Sequence, residues 1–588
     1  MHRQHRPANE CQFPSWDDTQ LFYRHWPATD EVGSDRALIL FHGGHEHSGR
    51  FQELVEGLEL PVHVFAWDAR AHGRSPGQRG YARHFMNFVR DADAFARHIG
   101  QQHGIEAENM AVLGHSVGSV IAAAWVHDYA PPVRAMVLGS PAFDVKLYVP
   151  LAKPGLRLIE RFRPNAFVNS YVKPGMLTHD AAEAEARRND PLIAPPIAVR
   201  VLNSLYDTVD RLMDGAGSIQ TPTLLLSAGR DFVVHTSAQD RFMERLGSDT
   251  KALHRLPGFY HEVFHEAERG IPIGLARDFL RTHLLGPATP TRPAREGNRE
   301  RYAGLSRERG ALDPKHHAFK AMAMALRMGS GLSEGLRIGQ QHGFDSGPML
   351  DYVYRNVARG RGPLAPLGRL VDRNYLNSPG WQGIRQRRVH LKQAVGTAID
   401  ELKTARPDGE TIHVADLAAG PGRYLLDVLE ARHADRDHIR ITCRDRDEQG
   451  LSEGRDLAAD HGFTQVKHET GDAFDPASIA SLTPAPDIVV VSGLYELFAD
   501  NGAVLRSLRG IRAVLPEHGR LIVTNQPWHP QLELIARTLP NRDGQPWVMR
   551  PRPAAEMNAL LREAGFEPGP MLSDNDGIFT VTTASVAA

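Results

Sequence analysis

A serine, an aspartate and a histidine occur in an order and in settings that suit nucleophilic catalysis. Ser116 is the centre of a G-x-S-x-G motif at residues 114–118, between a strand-like run (NMAVL) and a helical run (SVIAAAWVHD). This context predicts a sharp strand-to-helix turn with an exposed hydroxyl. Asp231 follows the strand-like run PTLLLSAG, and His261 follows a Pro-Gly turn. Because a nucleophilic serine needs a base and the base needs an orienting carboxylate, the three residues predict a Ser-His-Asp triad.

Two backbone N–H groups are expected to complete this site. Acyl transfer through a serine places negative charge on the carbonyl oxygen of the substrate, and two N–H donors can stabilise that charge. Val117, the residue after the serine, supplies the first donor. Gly44 supplies the second, because it lies in the run HGGH after the strand-like run ALILF, and glycine lets the main chain approach a ligand closely.

A second set of residues has the pattern of a nucleotide-type cofactor site. Asp416 ends a strand-like run and leads into a turn that contains Gly420 and Gly422, before a helical run. Glycines in such a turn let a ligand lie against the backbone, and the helix start offers free N–H groups. The dinucleotide pattern G-x-G-x-x-G fails at Leu425, and an acid at the strand end would repel a phosphate. The pattern favours a cofactor with a cationic sulfonium and an amino acid part.

Further polar residues follow the later strand-like runs. Asp445 is placed to accept hydrogen bonds from two ribose hydroxyls, and Asp472 with Ala473 lies where an adenine ring would bind. Ligands bind at the carboxyl ends of parallel strands, so residues there are candidates for a methyl-acceptor site. They are Tyr495, Glu496, Gln526, Trp528 and His529. His529 is a candidate general base, and packing is the alternative role for Tyr495 and Trp528.

Two series of strand-like runs must position these residues. The first spans residues 37–229 and the second spans 411–526, and both alternate with helix-length segments. This alternation predicts two mostly parallel sheets with helices on both faces. The predicted organisation is a first α/β domain at 1–287 with a cap insertion at about 142–215, a Pro-rich linker at 288–304, a helical segment at 305–405 and a second α/β core at 406–588. The basic residues Arg385, Arg387 and Arg388 in the helical segment are expected on a solvated face, with contact to an anionic head group as the alternative.

Composition excludes several classes of protein. A chain of 588 residues is too long for one hydrophobic core. Its formal charge of −2 provides no basic field for nucleic acid. No apolar run approaches the roughly 18–20 residues that span a bilayer. Two distant cysteines, Cys11 and Cys443, provide no disulfide framework. Together with the absence of a signal-like apolar segment, this predicts a cytoplasmic protein; the sequence does not indicate an oligomeric state.

The first domain resembles the monoglyceride lipase and lysophospholipase-like branch of the α/β-hydrolases over roughly residues 15–285. The motifs that carry the resemblance are HGGHEHSGRF (42–51), WDARAHGRSPGQRG (67–80), GHSVGS (114–119), THDAAEAEARRNDPLI (178–193), AGRDFVV (229–234) and GFYHEVFHE (258–266). The resemblance implies hydrolysis of lipid-type acyl esters by Ser116, Asp231 and His261 under a cap. Three roles stay open for the apolar residues of the segment 142–215: packing, lining of an acyl tunnel, and transient contact with a membrane surface. The chain departs from the family pattern at His45, where the family has a small residue, and at Ala71, where it has glycine.

The second domain resembles the class I S-adenosylmethionine-dependent methyltransferases. The succession of an acid, a glycine turn, a second acid and a Gly-Asp pair carries this resemblance. The chain after about residue 310 also resembles a bacterial methyltransferase group often joined to this hydrolase type, through SGLYELF (492–498), NQPWHPQLELIA (525–536), GQPWVMR (544–550) and GIFTVT (577–582). The resemblance implies S-adenosylmethionine as the cofactor and a small-molecule or lipid acceptor.

The sequence therefore predicts a bifunctional α/β enzyme, and three alternatives stay open. Only the hydrolase domain could be active, with the second domain sensing cofactor or acting as a scaffold. The hydrolase could cleave a thioester or a peptide. His261 and His265 also form an H-E-x-x-H motif, which on a long helix would bind zinc. We expect no metal, because the triad already uses His261 and a Pro-Gly turn directly precedes the motif.

Overall fold

The computed structural model describes residues 5–31, 33–289, 299–406 and 409–587. The chain divides into two compact units, Met1–Arg295 and Glu296–Ala588. Among the described residues, none of the helices combines the length and the apolar character that crossing a membrane requires.

The first unit is built on a mixed sheet of eight strands within the described residues. The strand order is β1-β2-β4-β3-β5-β6-β9-β10; β1 and β2 are joined antiparallel, and β2 pairs antiparallel with β4, while the other pairs are parallel. The central strands β3, β5 and β6 are buried along their whole length, which explains their continuous apolar sequence. Two further strands, β7 Phe167–Asn169 and β8 Pro196–Ala198, form a separate pair. The eight strands of the sheet are β1 Asn9–Pro14, β2 Gln20–Trp26, β3 Ala37–Phe41, β4 His63–Trp67, β5 Met110–His115, β6 Ala135–Gly139, β9 Thr223–Ala228 and β10 Lys251–Leu256.

Helices cover both faces of this sheet, and two hydrophobic cores lie between them and the strands. The helices are α1 Gln52–Leu58, α2 Met86–His103, α3 Val117–Tyr129, α4 Ala152–Phe162, α5 Ala181–Asn189, α6 Val199–Gly215, α7 Thr236–Arg245 and α8 Gly270–Leu280. Between β6 and β9 the chain forms α4, α5, α6 and the short antiparallel pair β7–β8, and this insertion is called the cap below. Helix α4 exposes apolar side chains, including Leu158 and Phe162.

The second unit contains a seven-stranded sheet in the order β13-β12-β11-β14-β15-β17-β16 among its described residues. Strand β17 is antiparallel to both of its neighbours, and the other pairs are parallel. The strands are β11 Ile412–Asp416, β12 Ile439–Asp445, β13 Val466–Thr470, β14 Ile488–Val491, β15 Arg520–Asn525, β16 Phe566–Ser573 and β17 Thr580–Val586. The order reverses between β11 and β14, which is the place where open α/β sheets bind ligands.

A helical segment precedes this sheet, and further helices cover its faces. The helices are α9 Arg299–Ser306, α10 Pro314–Gly329, α11 Glu334–His342, α12 Gly347–Arg355, α13 Ala365–Leu376, α14 Pro379–Ala405, α15 Arg423–Ala431, α16 Glu448–Asp460, α17 Pro476–Ala480, α18 Asn501–Val514, α19 Leu532–Thr538 and α20 Ala554–Glu563. The fold class is therefore confirmed: a hydrolase-type α/β unit with a cap is followed by a Rossmann-like unit with an N-terminal helical segment.

The predicted linker is too long at its C-terminal end. Its residues 290–298 lie outside the described residues, whereas α9 already begins at Arg299. This helix packs on the second unit, because Leu305 is buried in a hydrophobic cluster there and Arg537 donates a hydrogen bond to the carbonyl oxygen of Gly304. A Pro-rich composition marks where regular structure is interrupted, but not where the next helix begins.

A buried aspartate holds the helical segment together. Asp372 is fully buried and accepts four hydrogen bonds: from the Ser333 hydroxyl at 2.5 Å, the Gly335 N–H at 2.8 Å, the Tyr352 hydroxyl at 2.5 Å and the Arg359 N–H at 2.9 Å. Three helices and one loop are joined through this single carboxylate.

We expect Asp372→Ala to destabilise the second unit by about 3–5 kcal/mol, because several buried donors lose their acceptor at once. Calorimetric unfolding of the full chain measures this as a shift of one transition only. Asp400→Ala, which removes an exposed ion pair with Arg432, is the control and should cost less than about 1 kcal/mol. Equal effects of the two substitutions would contradict the role of Asp372.

Candidate active sites

Ser116 lies on a strained turn between β5 and α3. Its φ is 52°, in the left-handed region that is unfavourable for side chains other than glycine. On both sides of the serine, the backbone of this turn lies very close to another backbone segment. A Cβ atom on Gly118 would lie 2.1 Å from the carbonyl oxygen of Phe41, and one on Gly114 would lie 2.5 Å from the carbonyl oxygen of Gly118. The two glycines of the motif are therefore required by close contacts between backbone segments.

The three residues of the predicted triad lie together in the structure. His261 Nε2 is 2.8 Å from Ser116 Oγ, and His261 Nδ1 is 2.8 Å from Asp231 Oδ2. The other carboxylate oxygen of Asp231 accepts hydrogen bonds from the N–H groups of Val233 and Val234. Burial alone would raise the pKa of Asp231, but the interaction with His261 and these N–H groups lower it. A carboxylate held charged in this position can orient the imidazole and stabilise its protonated form.

The predicted oxyanion donors are neighbours. A Cβ atom on Gly44 would lie 3.3 Å from Val117 Cγ2, so the two segments converge next to Ser116. The preceding N–H, that of Gly43, donates a hydrogen bond to Glu46 Oε2 at 3.2 Å. Glu46 therefore fixes the loop that carries Gly44.

Two positions beside the first site have glycine-like backbone geometry without being glycine. The φ angles of His45 and Ala71 are 66° and 60°, and these are the two departures from the family pattern. A non-glycine residue there costs roughly 1–2 kcal/mol. His45 also contacts the cap, because its Nδ1 donates a hydrogen bond to the carbonyl oxygen of Ala194 at 2.7 Å. Burial lowers the pKa of His45, so the ring is neutral near pH 7.

Next to residues 42–46, which are called the oxyanion loop below because they contain the predicted donor Gly44, two carboxylates and two guanidinium groups form a buried network that the sequence did not reveal. Arg50 contacts Glu46 at 3.4 Å and Glu262 at 3.2 Å, and Arg187 contacts both carboxylates, Glu262 at 2.5 Å. Arg187 belongs to helix α5, so the network joins the cap to the catalytic core. Burial would raise the pKa of Glu46, but Arg187 and Arg50 hold it well below the usual value.

The H-E-x-x-H stretch does not have the geometry of a zinc site. Residues Val263–His265 form only a short 3-10 turn, whereas the zinc motif needs both histidines on one helix face. His261 is bound to Ser116 and Asp231, and His265 Nε2 donates a hydrogen bond to the carbonyl oxygen of Arg50 at 3.0 Å. The intervening Glu262 belongs to the buried network.

In the second unit, Asp416 lies beneath the glycine turn. It is fully buried and accepts hydrogen bonds from the Tyr424 hydroxyl at 2.5 Å and from the Ala418 N–H at 3.2 Å. Burial raises the pKa of Asp416 to about 7, although these hydrogen bonds oppose the shift. Asp416 is not among the residues that line the adjacent cavity. The contacts that Asp416 makes in the structure are therefore within the turn, and its role toward the cofactor stays a prediction.

The other predicted cofactor residues surround one cavity of about 860 Å³. Its wall includes Gly420, Gly422, Asp445, Asp472 and Ala473. Asp445 Oδ2 accepts a hydrogen bond from the Gly420 N–H at 2.8 Å, so the second strand and the turn are joined at the cavity edge. Gly420 and Gly422 have φ angles of 50° and 67°, which favour glycine. The acids, the glycine turn and the volume fit a nucleoside joined to an amino acid.

A second, largely apolar cavity of about 270 Å³ lies beside the first. The lining residues that the two cavities share are Asp345, Leu350, Arg387, Gly493, Leu497 and Trp547. Of the predicted acceptor residues, Glu496 and His529 line this cavity, together with Gln526. Tyr495 and Trp528 do not line it.

Two of the candidate acceptor residues have the alternative role of packing, and the expectation that Arg387 lies on a solvated face is wrong. Tyr495 is a core residue whose hydroxyl bonds to Ser507, and Trp528 packs against a hydrophobic cluster. Arg387 is not on a solvated face: it is 5% exposed and pairs with Glu496. The burial of these side chains depends on how α14 and the strand ends pack, and residue type alone does not reveal it.

His529 is unsuited to act as a base. Its Nδ1 accepts a hydrogen bond from the Gln531 N–H at 3.0 Å, which leaves the proton of the neutral ring on Nε2. Burial also lowers the pKa of His529 to about 3. The ring is therefore a weak base that can donate a hydrogen bond through Nε2.

Comparisons with known proteins agree with the two-unit arrangement. Residues 33–268 match the family described as "Serine aminopeptidase, S33", and residues 291–586 match the family described as "Putative methyltransferase". The "Uncharacterized protein YnbC" of Escherichia coli (strain K12) is 44% identical over 98% of both chains. The monoglyceride lipase of Homo sapiens is 30% identical over 47% of this chain and 91% of its own.

Two further comparisons concern the first unit only. Phospholipase YtpA of Bacillus subtilis (strain 168) is 28% identical over 44% of this chain and 99% of its own. The crystal structure of Paleococcus ferrophilus monoacylglycerol lipase is 26% identical, with a TM-score of 0.41, and covers 45% of this chain and 99% of that chain.

The buried Asp416 predicts a pH-dependent stability of the second unit. Its pKa is raised above the unfolded value, so the folded state holds a proton between about pH 4 and pH 7 that the unfolded state has lost. Stability from this group is complete below pH 4 and falls as the pH rises toward 7. We expect the free energy of unfolding of Asp416→Asn, relative to wild type, to rise by about 3–4 kcal/mol over this window and then level off. Chemical denaturation at several pH values measures it, with Asp460→Asn as the exposed matched control; a difference for Asp416→Asn that does not change with pH would contradict the assignment.

Proposed function

The chain belongs to the methyltransferase family that its residues 291–586 match, with an S33-type hydrolase unit at 33–268, and from this premise we propose a bifunctional enzyme. The first unit is proposed to hydrolyse lipid-type acyl esters. The second is proposed to transfer a methyl group from S-adenosylmethionine. The observation that carries the first half is the position of His261, 2.8 Å from both Ser116 and Asp231.

The hydrolysis follows the chemistry of a serine triad. His261 Nε2 removes the proton from Ser116 as its oxygen attacks the ester carbonyl, and the N–H groups of Gly44 and Val117 stabilise the oxyanion. The protonated imidazole, stabilised by Asp231, then delivers its proton to the departing alcohol. Water repeats the sequence and releases the acid. The names of the lipase and phospholipase relatives support a monoacylglycerol or lysophospholipid as the substrate, and the exposed apolar side chains of α4 suit transient contact with lipid.

We expect a fluorophosphonate probe to label the protein and Ser116→Ala to abolish that labelling. Hydrolysis of a monoacylglycerol should fall by at least about a thousandfold, because the nucleophile is lost while the backbone oxyanion donors stay. Mass spectrometry of the labelled peptide and kcat/KM for monoacylglycerol and lysophospholipid test this. His261→Gln should also lose activity, whereas His265→Gln, the matched control, should keep most of it. Labelling that persists in Ser116→Ala would refute the proposal.

The second unit offers a binding site that fits S-adenosylmethionine. The turn at 420–422 and Asp445 would hold the amino acid and ribose parts, and Asp472 with Ala473 would contact the adenine. When bound, the cofactor supplies a methyl group on a positively charged sulfur. The role of the chain is to bind this molecule, to exclude water from the sulfonium and to orient an acceptor. The cavity that joins the glycine turn with two acids after strand ends, Asp445 and Asp472, is the observation that supports this half.

We expect S-adenosylmethionine and S-adenosylhomocysteine to compete for one site and NAD not to compete. Asp445→Ala should weaken binding tenfold or more, because a hydrogen bond to a charged group is worth about 1.5–3 kcal/mol. Calorimetry on the full chain measures the affinities, with the exposed Asp460→Ala as control. Ester hydrolysis by Asp445→Ala should be unchanged. NAD binding in place of S-adenosylmethionine would refute the methyltransferase assignment.

A further inference from the structure

Three residues that line the apolar cavity, Arg387, Glu496 and Gln526, are called its floor below. They contain buried polar atoms that have no partner among the described residues. Neither amide atom of Gln526 has a hydrogen-bond partner, and this side chain belongs to a fully buried residue. The same holds for Arg387 Nε and for Glu496 Oε2, on residues that are about 5% exposed. All three residues line the cavity.

Unpaired buried polar groups are unfavourable and rare in folded proteins, so a cluster of them requires an explanation. Three neighbouring side chains, each with an unpaired atom in one cavity, indicate a ligand that completes their hydrogen bonds. Two of these atoms, Glu496 Oε2 and Gln526 Oε1, are acceptors. The other two, Gln526 Nε2 and Arg387 Nε, are donors.

The charges of the floor compensate each other. Arg387 Nη1 lies 3.3 Å from Glu496 Oε1, and the guanidinium group also lies over the ring of Phe579 at 5.0 Å. His529 is neutral, as shown above, and contributes a donor. A further carboxylate on the cavity wall, Asp345, is paired with Arg542 at 3.4 Å. A site whose charges are all paired and which has both donors and acceptors favours a neutral group that can donate and accept at once, which a hydroxyl does. It disfavours a carboxylate or an ammonium group, because each would bring an unbalanced charge into a buried site.

The walls define the rest of the ligand. They are mainly aliphatic and aromatic, from Leu336, Val371, Tyr375, Trp381, Ile535 and Met549 among others. Trp381 and Trp547 lie with their rings 6.1 Å apart and nearly parallel. The volume of about 270 Å³ is just below the usual range of about 300–1,000 Å³ for ligand sites. The cavity therefore suits a small apolar molecule with one polar end.

Building on the proposed methyl transfer, we propose that this cavity binds the methyl acceptor and that the acceptor is an apolar alcohol or phenol whose hydroxyl meets Glu496 and Gln526. Arg387 and Gly493 line both cavities, so the hydroxyl end faces the cofactor. The hydroxyl oxygen forms a bond to the methyl carbon as the carbon–sulfur bond breaks. The hydroxyl proton passes to the Glu496 carboxylate, and the products are a methyl ether and the demethylated cofactor.

Binding of matched probes to the full chain saturated with S-adenosylhomocysteine tests the proposal. One series is 4-butylphenol, 4-butylbenzoate and 4-butylbenzylamine, and the other is 1-octanol, octanoate and octylamine. In calorimetry, the hydroxyl member of at least one series should bind tenfold or more tightly than both of its charged counterparts, and the better series identifies a phenol or an alkanol. Equal or tighter binding of a charged member, or no binding of either hydroxyl, overturns the proposal. Failure of S-adenosylhomocysteine itself to bind would instead overturn the proposed methyltransferase function on which it rests.

Two substitutions separate the role of each polar residue. Gln526→Leu should weaken the hydroxyl probe tenfold or more, leave the affinity for S-adenosylhomocysteine unchanged and raise the Tm of the second unit, because an unpaired buried amide is removed. A purely structural role of Gln526 would lower the Tm, which would count against the proposal. Gln465→Leu, outside both cavities, is the matched control.

Glu496→Gln keeps the size of the side chain and its ability to accept a hydrogen bond. Binding of the hydroxyl probe should stay within about threefold, whereas kcat for its methylation should fall about a hundredfold or more with little change in KM, because proton transfer to a positioned base contributes on that scale. Unchanged kcat in Glu496→Gln would remove Glu496 from the reaction.

Discussion

Ser116 lies directly between strand β5 and helix α3, and Gly422 ends the turn that joins strand β11 to helix α15, so in both units a helix begins at the next residue. Both residues have left-handed backbone angles, 52° and 67°, and both reversals place a reactive or ligand-facing group at the carboxyl end of a sheet. A strand end buried on both faces has only this direction in which to expose a group. The glycines at each turn and the helix that follows it are what allow the chain to make this tight turn at the edge of the sheet.

In the first unit, the buried charged network next to the oxyanion loop connects this loop to the cap. Glu46 holds the Gly43 N–H, and Arg187 joins Glu46 to helix α5. Buried ion pairs of this kind add little net stability, but loss of one partner leaves an uncompensated charge that costs about 3–5 kcal/mol. The network therefore acts mainly on geometry, because Arg187 of the cap contacts the same carboxylate that accepts the Gly43 N–H.

Sequence reasoning predicted what local patterns encode. The triad residues, the glycine turn and the central strands of both sheets follow from short motifs and continuous apolar runs. Strands β10 and β16 were missed because β10 is mostly exposed and β16 contains Pro568 and Gly569, so neither has an apolar strand pattern. The Arg187–Glu46 contact joins residues 141 positions apart, and no local pattern encodes it. The burial of Arg387 was missed for a related reason: a basic residue on a helix is usually solvated, and only the packing of α14 against the strand ends shows otherwise.

The His45 contact has a consequence for how motion of the cap can be observed. A proton on a histidine nitrogen exchanges rapidly with water unless a hydrogen bond protects it. Here the Nδ1 proton is held by the carbonyl oxygen of Ala194, so it is protected only while the cap remains seated on the oxyanion loop. The lifetime of this one proton in a magnetic resonance spectrum therefore reports how often the cap opens.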